Sequence, residues 1–316
     1  MRTLQAQRRE GLGSEVLGID VLPGAFTHQV GSIADRAFVR RCMKRVTTVL
    51  HAATLHKPHV ATHSRQDFVD VNITGTLNLL EEAAAAGVAA FVYTSTTSVF
   101  GDALVPPPGE PAAWITEDVT AVPKNIYGVT KAAAEDLCQL FARNHSLRTI
   151  VLRTSRFFPE EDDNPAIRAA YADANIKTNE FLYRRVDIED VVSAHLLAAQ
   201  HAPSAGFAKY IISATTPFAR HDAAELRKDT PFVVHHYVPD YEAEFARRGW
   251  TMTPAIDRVY DNARARADLG WQPRHDFRAL IARLAAGEDI RSPLAREIGS
   301  KGYHDRIFGE GPYPVE

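Results

Sequence analysis

Short apolar runs alternate with longer stretches of helical spacing through the first two-thirds of the chain. Five runs rich in β-branched and aromatic residues predict strands at 15–21, 46–52, 90–95, 149–153 and 209–213. Between them the apolar period lengthens. Residues 67–86 carry Val71, Leu77, Leu80 and Ala84 at helical spacing and stop at Gly87, and residues 127–144 read the same way. A third helix, 189–201, has Asp187 ahead of it as a cap and Pro203 and Gly206 behind it. Strand, helix, strand in repetition predicts βαβ units around a parallel sheet, so the expected fold class is α/β, doubly wound.

After Ser213 that rhythm gives way to prolines, charges and aromatics. A second, smaller lobe is expected there, joined by the polar, acidic stretch 159–179. The predicted division is 1–156 and 183–213 for the sheet domain, and 157–182 and 214–316 for the lobe. His235-His236 falls in a strand-like run, and the tail 309–314 reads as irregular because glycine and proline oppose regular structure.

Charge and cysteine usage narrow the partners. With 36 basic and 39 acidic residues the net charge is -3, so nothing attracts nucleic acid or an anionic membrane over distance. No apolar stretch approaches the ~20 residues of a membrane span, and Met1 to Gln5 run into charges rather than a signal-peptide core. Cys42 and Cys138 are far apart and neither has a second cysteine at metal-ligand spacing, which argues against a disulfide framework. A cytoplasmic protein acting on a small molecule is expected.

The chemistry is concentrated in Thr94-Ser95-Thr96-Thr97-Ser98-Val99-Phe100-Gly101-Asp102 at a strand end, followed by Tyr127-Gly128-Val129-Thr130-Lys131 at a helix start. Tyrosine and lysine four apart share one helix face. An ammonium beside a phenol stabilises the phenolate, so the tyrosine can exchange a proton with a substrate hydroxyl near neutral pH. Upstream stand His51-Ala52-Ala53 at another strand end and Asn72-Ile73-Thr74-Gly75-Thr76 at a helix start.

These four motifs, in this order over roughly residues 15–213, resemble the extended short-chain dehydrogenase/reductase group, the NAD-dependent epimerase/dehydratase family. Residues 265–273, ending Leu269-Gly270-Trp271-Gln272-Pro273, resemble its closing segment. The resemblance implies a Rossmann-type sheet, NAD as cofactor, and chemistry at a hydroxyl-bearing carbon of a sugar, sugar acid or nucleotide sugar. It implies Tyr127 as acid/base, Lys131 as its tuner and a ribose ligand, Thr96 as hydroxyl partner, and Asn72 as a brace for the helix and the proton relay. It puts His51, Ala52, Ala53 and Thr94 beside the cofactor, Thr97 and Ser98 beside the substrate, and Ser32 and Ile33 near the adenine. The family most often has serine at position 96, tyrosine at 100, aspartate at 32 and asparagine at 156. Asp20, at the end of the first strand, would accept the adenosine ribose hydroxyls and repel a 2′-phosphate. Related proteins pair the helices at 67–86 and 127–144 between two copies, so a homodimer is expected.

Against that family the first strand, 15–21, corresponds to the second, and Leu4 to Glu10 to the last turns of the first helix. Gly11 and Gly13 follow that helix, so they are not the phosphate-binding turn. The sheet is therefore expected to lack its first strand and glycine-rich loop, roughly 20 residues, leaving a gap between 15–21 and 46–52. A reading started late and a true loss both fit. An enzyme and a non-catalytic binding module that kept the fold are the two functional readings. Arg156 suits a carboxylate or phosphate, with a surface salt bridge as the alternative. His56, His59 and His63 read as a polar loop near the site's mouth, and Glu160-Glu161-Asp162-Asp163 as a solvated acidic loop.

Overall fold

The computed structural model describes residues 1–9, 15–300, 304 and 308. Gly11, Gly13 and the tail 309–314 lie outside the described residues. After α1 (Arg2–Arg9) come β1 (Ile19–Asp20) and β2 (Gln29–Val30), paired in parallel with Asp20 opposite Val30. The predicted strand 15–21 shrinks to two residues, and β2 carried no sequence signal. Next are α2 (Arg36–Cys42), β3 (Thr48–His51), α3 (Arg65–Phe68), α4 (Gly75–Ala86), β4 (Ala90–Thr96), β5 (Ala113–Ile115), α5 (Ile126–His145) and β6 (Thr149–Thr154). Then follow α6 (Pro165–Ala170), α7 (Asp173–Glu180), α8 (Ile188–Ala205), β7 (Phe207–Ile212), α9 (Ala223–Leu226), α10 (Thr230–Tyr237) and α11 (Tyr241–Arg248). The described chain closes with β8 (Arg258–Tyr260), α12 (Ala263–Leu269), α13 (Phe277–Ala285) and α14 (Pro293–Ile298).

The central sheet is parallel, in the order β3, β4, β6, β7. β1 and β2 form a separate two-stranded sheet, with no ladder to β3 among the described residues. Alternation along the strands divides the core between two faces. Phe91, Tyr93 and Val151 face α2, α4 and α5, where Phe38, Leu80, Ala83 and Cys138 are packed. Val92, Ile150 and Leu152 face α8 and α12, against Val191, Ala194, Ala198 and Trp271.

The sequence motifs at the start of α4 have packing reasons. Residues 69–74 form a π-helical turn between α3 and α4, which sets Asn72 inward. A side chain on Gly75 would meet Ile33 at 2.6 Å, so only glycine lets Ile33 pack beneath α4. Asn78 then donates to the carbonyls of Ile33 and Ala34.

The lobe has its own core of Phe181, Phe218, Leu226, Val234, Phe245, Phe277 and Leu280. Its boundary differs from the predicted one at two places. β5 crosses over to pair with β8, and Ala112 N–H donates to Ala223 in the lobe. In the other direction, Ala265, Leu269 and Trp271 pack on the sheet side against α8. Trp271 Nε1 donates to Asp190 O and Ser193 Oγ at 3.2 and 3.0 Å, while Asp190 accepts the N–H groups of Arg274 and His275. His235 and His236 lie in the helix α10, where Asp229 caps the start and Pro231 occupies the first turn, a combination that favours helix over strand.

Trp271 is almost fully buried and clamps the closing segment to α8. Trp271→Ala is expected to lower stability by about 3–5 kcal/mol through the cavity it leaves. Urea unfolding of the variant beside the parent checks this.

Candidate active site

The site lies at the carboxyl ends of β4 and β6, where ligands of open parallel sheets bind. α5 starts there because Asn125 caps it, its side chain accepting from Gly128 N–H at 3.0 Å. Gly128 lets the helix approach closely, since a side chain would meet Pro123 and the Ser98 carbonyl at 3.0 Å. Tyr127 and Lys131 therefore enter the interior one turn apart, both buried.

Lys131 Nζ donates to the carbonyl of Thr94 at 2.6 Å and stands 4.1 Å from the centre of the Tyr93 ring. Burial lowers its pKa to about 7, with Glu135 one turn on and Cys138 pulling the other way. Thr96 Oγ1 accepts from Ser98 N–H at 3.1 Å and reaches Ser98 Oγ at 3.2 Å. Thr94, Thr96, Thr97, Ser98, Tyr127 and Lys131 line one cavity of about 550 Å³, and Ala52 reaches the same wall.

Several expected residues have other work. Asn72 donates to Leu55 O and Thr130 Oγ1 and accepts from Thr54 Oγ1 and Leu55 N–H. That ties the loop after β3 to α5 and engages both amide protons and the amide oxygen of Asn72. His51 is inside the fold rather than on the cavity wall. Thr76 gives its hydroxyl proton to Asn72 O, so His51 Nε2 is the donor in its 2.9 Å contact with Thr76. Burial and then Lys131 push His51 down to about 3, so it stays neutral. The Ile33 side chain belongs to the core under Gly75. Ser32 Oγ caps the turn by accepting from Ala34 N–H, and Ala53 is exposed beyond β3. Asp20 is exposed at the end of β1, one carboxylate oxygen accepting from Leu22 N–H.

Arg156 is neither a surface salt bridge nor a free anion anchor. Its guanidinium meets Asp162 at 2.5 Å, Glu180 at 3.0 Å and Asp163 at 3.2 Å. The acidic run 160–163 is accordingly no solvated loop, since Asp162 and Asp163 are buried and Asp163 also takes Lys57 at 2.6 Å. Burial alone would raise the Glu180 carboxyl, but Arg184, Arg185 and Arg156 hold it well below the usual carboxylate range. His56 and His59 line the cavity, and the His56 ring stands edge-on to Tyr127 with centroids 5.0 Å apart. Burial, then His59 and nearby cations, lowers His56 to about 3.

His195 had no signal in the sequence, being a lone histidine on a helix. Its Nδ1 donates to Val191 O at 2.8 Å, which leaves Nε2 to accept the Thr94 hydroxyl at 2.7 Å. Among the described residues no group of His, Cys, Asp and Glu is arranged to hold a metal, and no helix is long and apolar enough to cross a membrane.

A buried tyrosine and lysine on one helix face, lining one cavity with a threonine hydroxyl at the sheet edge, are groups able to exchange a proton with a hydroxyl oxygen. A family model described as the NAD dependent epimerase/dehydratase family matches residues 4–212. The chain belongs to that family of NAD-using enzymes. A dTDP-glucose 4,6-dehydratase from Streptomyces antibioticus is 30% identical over 272 residues, covering 82% of this chain and 75% of that protein. A UDP-glucose 4-epimerase from Azospirillum brasilense is 26% identical over 312 residues, covering 90% and 84%. In fold, the chain is similar to a short-chain dehydrogenase/reductase superfamily protein from Agrobacterium tumefaciens solved with bound NAD. The TM-score is 0.62 at 23% identity, with 94% of this chain and 95% of that one covered.

NAD fits the described residues at one end. Lys131, Tyr127, Thr94 and Ala52 meet in one cavity, and Asp20 stands on a sheet edge with a carboxylate oxygen to offer. No described residues form a glycine-rich turn between a strand and a helix to hold its pyrophosphate.

Burial of Lys131 weighs on the fold in a definite pH window. Its folded pKa, about 7, lies below the unfolded value near 10.5, so the unfolded chain binds more protons between those limits. The destabilisation is complete below pH 7 and fades as pH rises toward 10.5. Lys131→Met is therefore expected to abolish turnover while raising Tm at pH 6 by roughly 2–5 °C, as thermal unfolding of both proteins will show.

Proposed function

We propose that the chain uses NAD to oxidise a carbinol carbon of a sugar or sugar nucleotide, as one half of an epimerisation or dehydration. The observation that carries this is the joint burial of Tyr127 and Lys131 in the wall of the cavity that also holds Thr96. Tyr127 takes the proton from the substrate hydroxyl and returns it. Lys131 stabilises the phenolate by its charge and touches the ribose, and Thr96 holds the same substrate oxygen. NAD, when bound, supplies the hydride acceptor. Asn72 keeps α5 in place beneath the pair. The dehydratase and epimerase relatives act on dTDP-glucose and UDP-glucose by name, which makes these the first substrates to try.

A non-catalytic binding module is favoured by one observation. The Asp20 sheet has no ladder to the sheet that carries Thr94, so no continuous ladder joins the two ends of a bound NAD among the described residues. Turnover separates the readings.

Tyr127→Phe is expected to lower kcat by about 10²–10⁴-fold with UDP-glucose or dTDP-glucose, leaving NAD affinity within a factor of a few, because the phenol serves the substrate. Near-normal turnover by the variant would exclude Tyr127 as acid/base. We further propose that α4 and α5 pair with those of a second copy, Val129 being exposed on α5. Light scattering at micromolar concentration should then give a dimer mass, and a monomer would contradict it.

A further inference from the structure

The acceptor of the Lys131 ammonium, the Thr94 carbonyl, lies just past the end of a ladder. β3 and β4 pair only as far as His51 opposite Tyr93, so Thr94 has no partner in β3. The carbonyl can therefore take Lys131, but the β3–β4 ladder does not fix its direction. A second hold on Thr94 comes from the other side of the sheet. Alternation puts Tyr93 under α5 and sends Val92 and Thr94 toward α8. There the Thr94 hydroxyl meets His195 Nε2 at 2.7 Å.

The histidine can only receive that hydroxyl. Its Nδ1 lies 2.8 Å from Val191 O, one helical turn back, and a carbonyl oxygen only accepts, so the ring proton is on Nδ1. Nε2 then offers a lone pair as long as the ring is neutral. Burial lowers the His195 pKa, with the amino terminus of the chain adding to the fall and the Val191 carbonyl opposing it. The ring is also carried on a helix that cannot yield, since Ala194 and Ala198 of α8 are fully buried against Val92. His195 lies outside the cavity that Thr94, Tyr127 and Lys131 line, so it reaches that cavity only through Thr94.

We propose that His195 is a positioning residue for the Tyr127–Lys131 pair: by taking the Thr94 hydroxyl on the α8 face, it sets the Thr94 carbonyl against the Lys131 ammonium on the α5 face. This rests on the reading of Tyr127 and Lys131 as the proton-handling pair. The relay is one of position and carries no proton. Val191 O fixes the tautomer, the tautomer fixes the direction of the Thr94 bond, and Thr94 fixes the place of the ammonium one turn from Tyr127. A helix on the far side of the sheet thereby sets the geometry of the site.

The test is a double-mutant cycle on the whole chain, read by two measurements. His195→Leu and Thr94→Val each remove one end of the bond, and the double variant removes both. In a pH titration of the lysine side-chain NMR signals, the Lys131 midpoint is expected to fall below the parent's in all three variants. An ammonium whose acceptor is no longer held gives up its proton more readily, while Glu135 and Cys138, the other groups that bear on it, are untouched. With UDP-glucose or dTDP-glucose, kcat should fall about 5–50-fold while KM and NAD affinity stay within about threefold. The double variant should be no worse than the worse single one. His195→Gln, whose amide can donate to Val191 O and accept the Thr94 hydroxyl, should recover part of the loss. If His195→Leu unfolds, Thr94→Val against Thr94→Ser decides, with a lowered midpoint for valine and a parental one for serine, which keeps the hydroxyl. An unchanged midpoint in both single variants, or losses that add in the double variant, overturns the proposal. So does a loss of NAD affinity as large as the loss of kcat, which would give His195 to cofactor binding. A lowered midpoint in a protein that never reduces NAD would support this inference and refute only the oxidation proposed above.

Discussion

An ammonium group buried between α5 and β4 organises the centre of this protein. Lys131 Nζ rests on the Thr94 carbonyl at 2.6 Å and over the Tyr93 ring, in a place where water does not solvate it. A charge so placed is tolerated only if its surroundings are fixed, because an uncompensated buried cation is costly. Three devices do the fixing. Glu135, one turn along α5, supplies negative charge and is itself tied to Arg153 at 2.8 Å and Ser95 at 2.6 Å. Asn72 ties Thr130, next to Lys131, to the loop after β3. His195 holds the Thr94 side chain from the opposite face of the sheet. The arrangement that holds Lys131 one turn from Tyr127 is thus one with the packing of both faces.

Much of this was legible before the structure. The spacing of Tyr127 and Lys131, the hydroxyl cluster before them and the strand–helix rhythm carry their meaning in local periodicity, and the central strands fall within a residue or two of their expected places. What failed was long-range pairing. Arg156 looked available because nothing in the local pattern shows that the acidic run just after it, at Asp162 and Asp163, and the helix end at Glu180 fold back onto it. The family resemblance put His51 beside the cofactor, while its ring turns inward to Thr76. β2 and β5 are two and three residues long, too short for a period to appear, and each exists only through its partner strand.

The lobe boundary teaches the same lesson. Leu269-Gly270-Trp271 sits far along the chain among lobe residues, but Trp271 is an apolar ring with one donor, and the groove of α8 offers both an apolar floor and the Asp190 carbonyl. Chemistry at the end of the chain therefore reinforces the sheet that presents Lys131 rather than the lobe beside it. The lobe in turn sends Arg258 and Tyr260 of β8 back to the cavity, so the substrate side of the site is shared between the two cores.

Lys131 is a buried cation whose proton is held loosely near neutral pH, one turn from Tyr127. The most direct measurement is a pH titration of the lysine side-chain NMR signals, with the Lys131 resonance assigned by its absence in Lys131→Met. A midpoint at about 7 is expected. A midpoint near 10.5, the value of a solvated lysine, would contradict it.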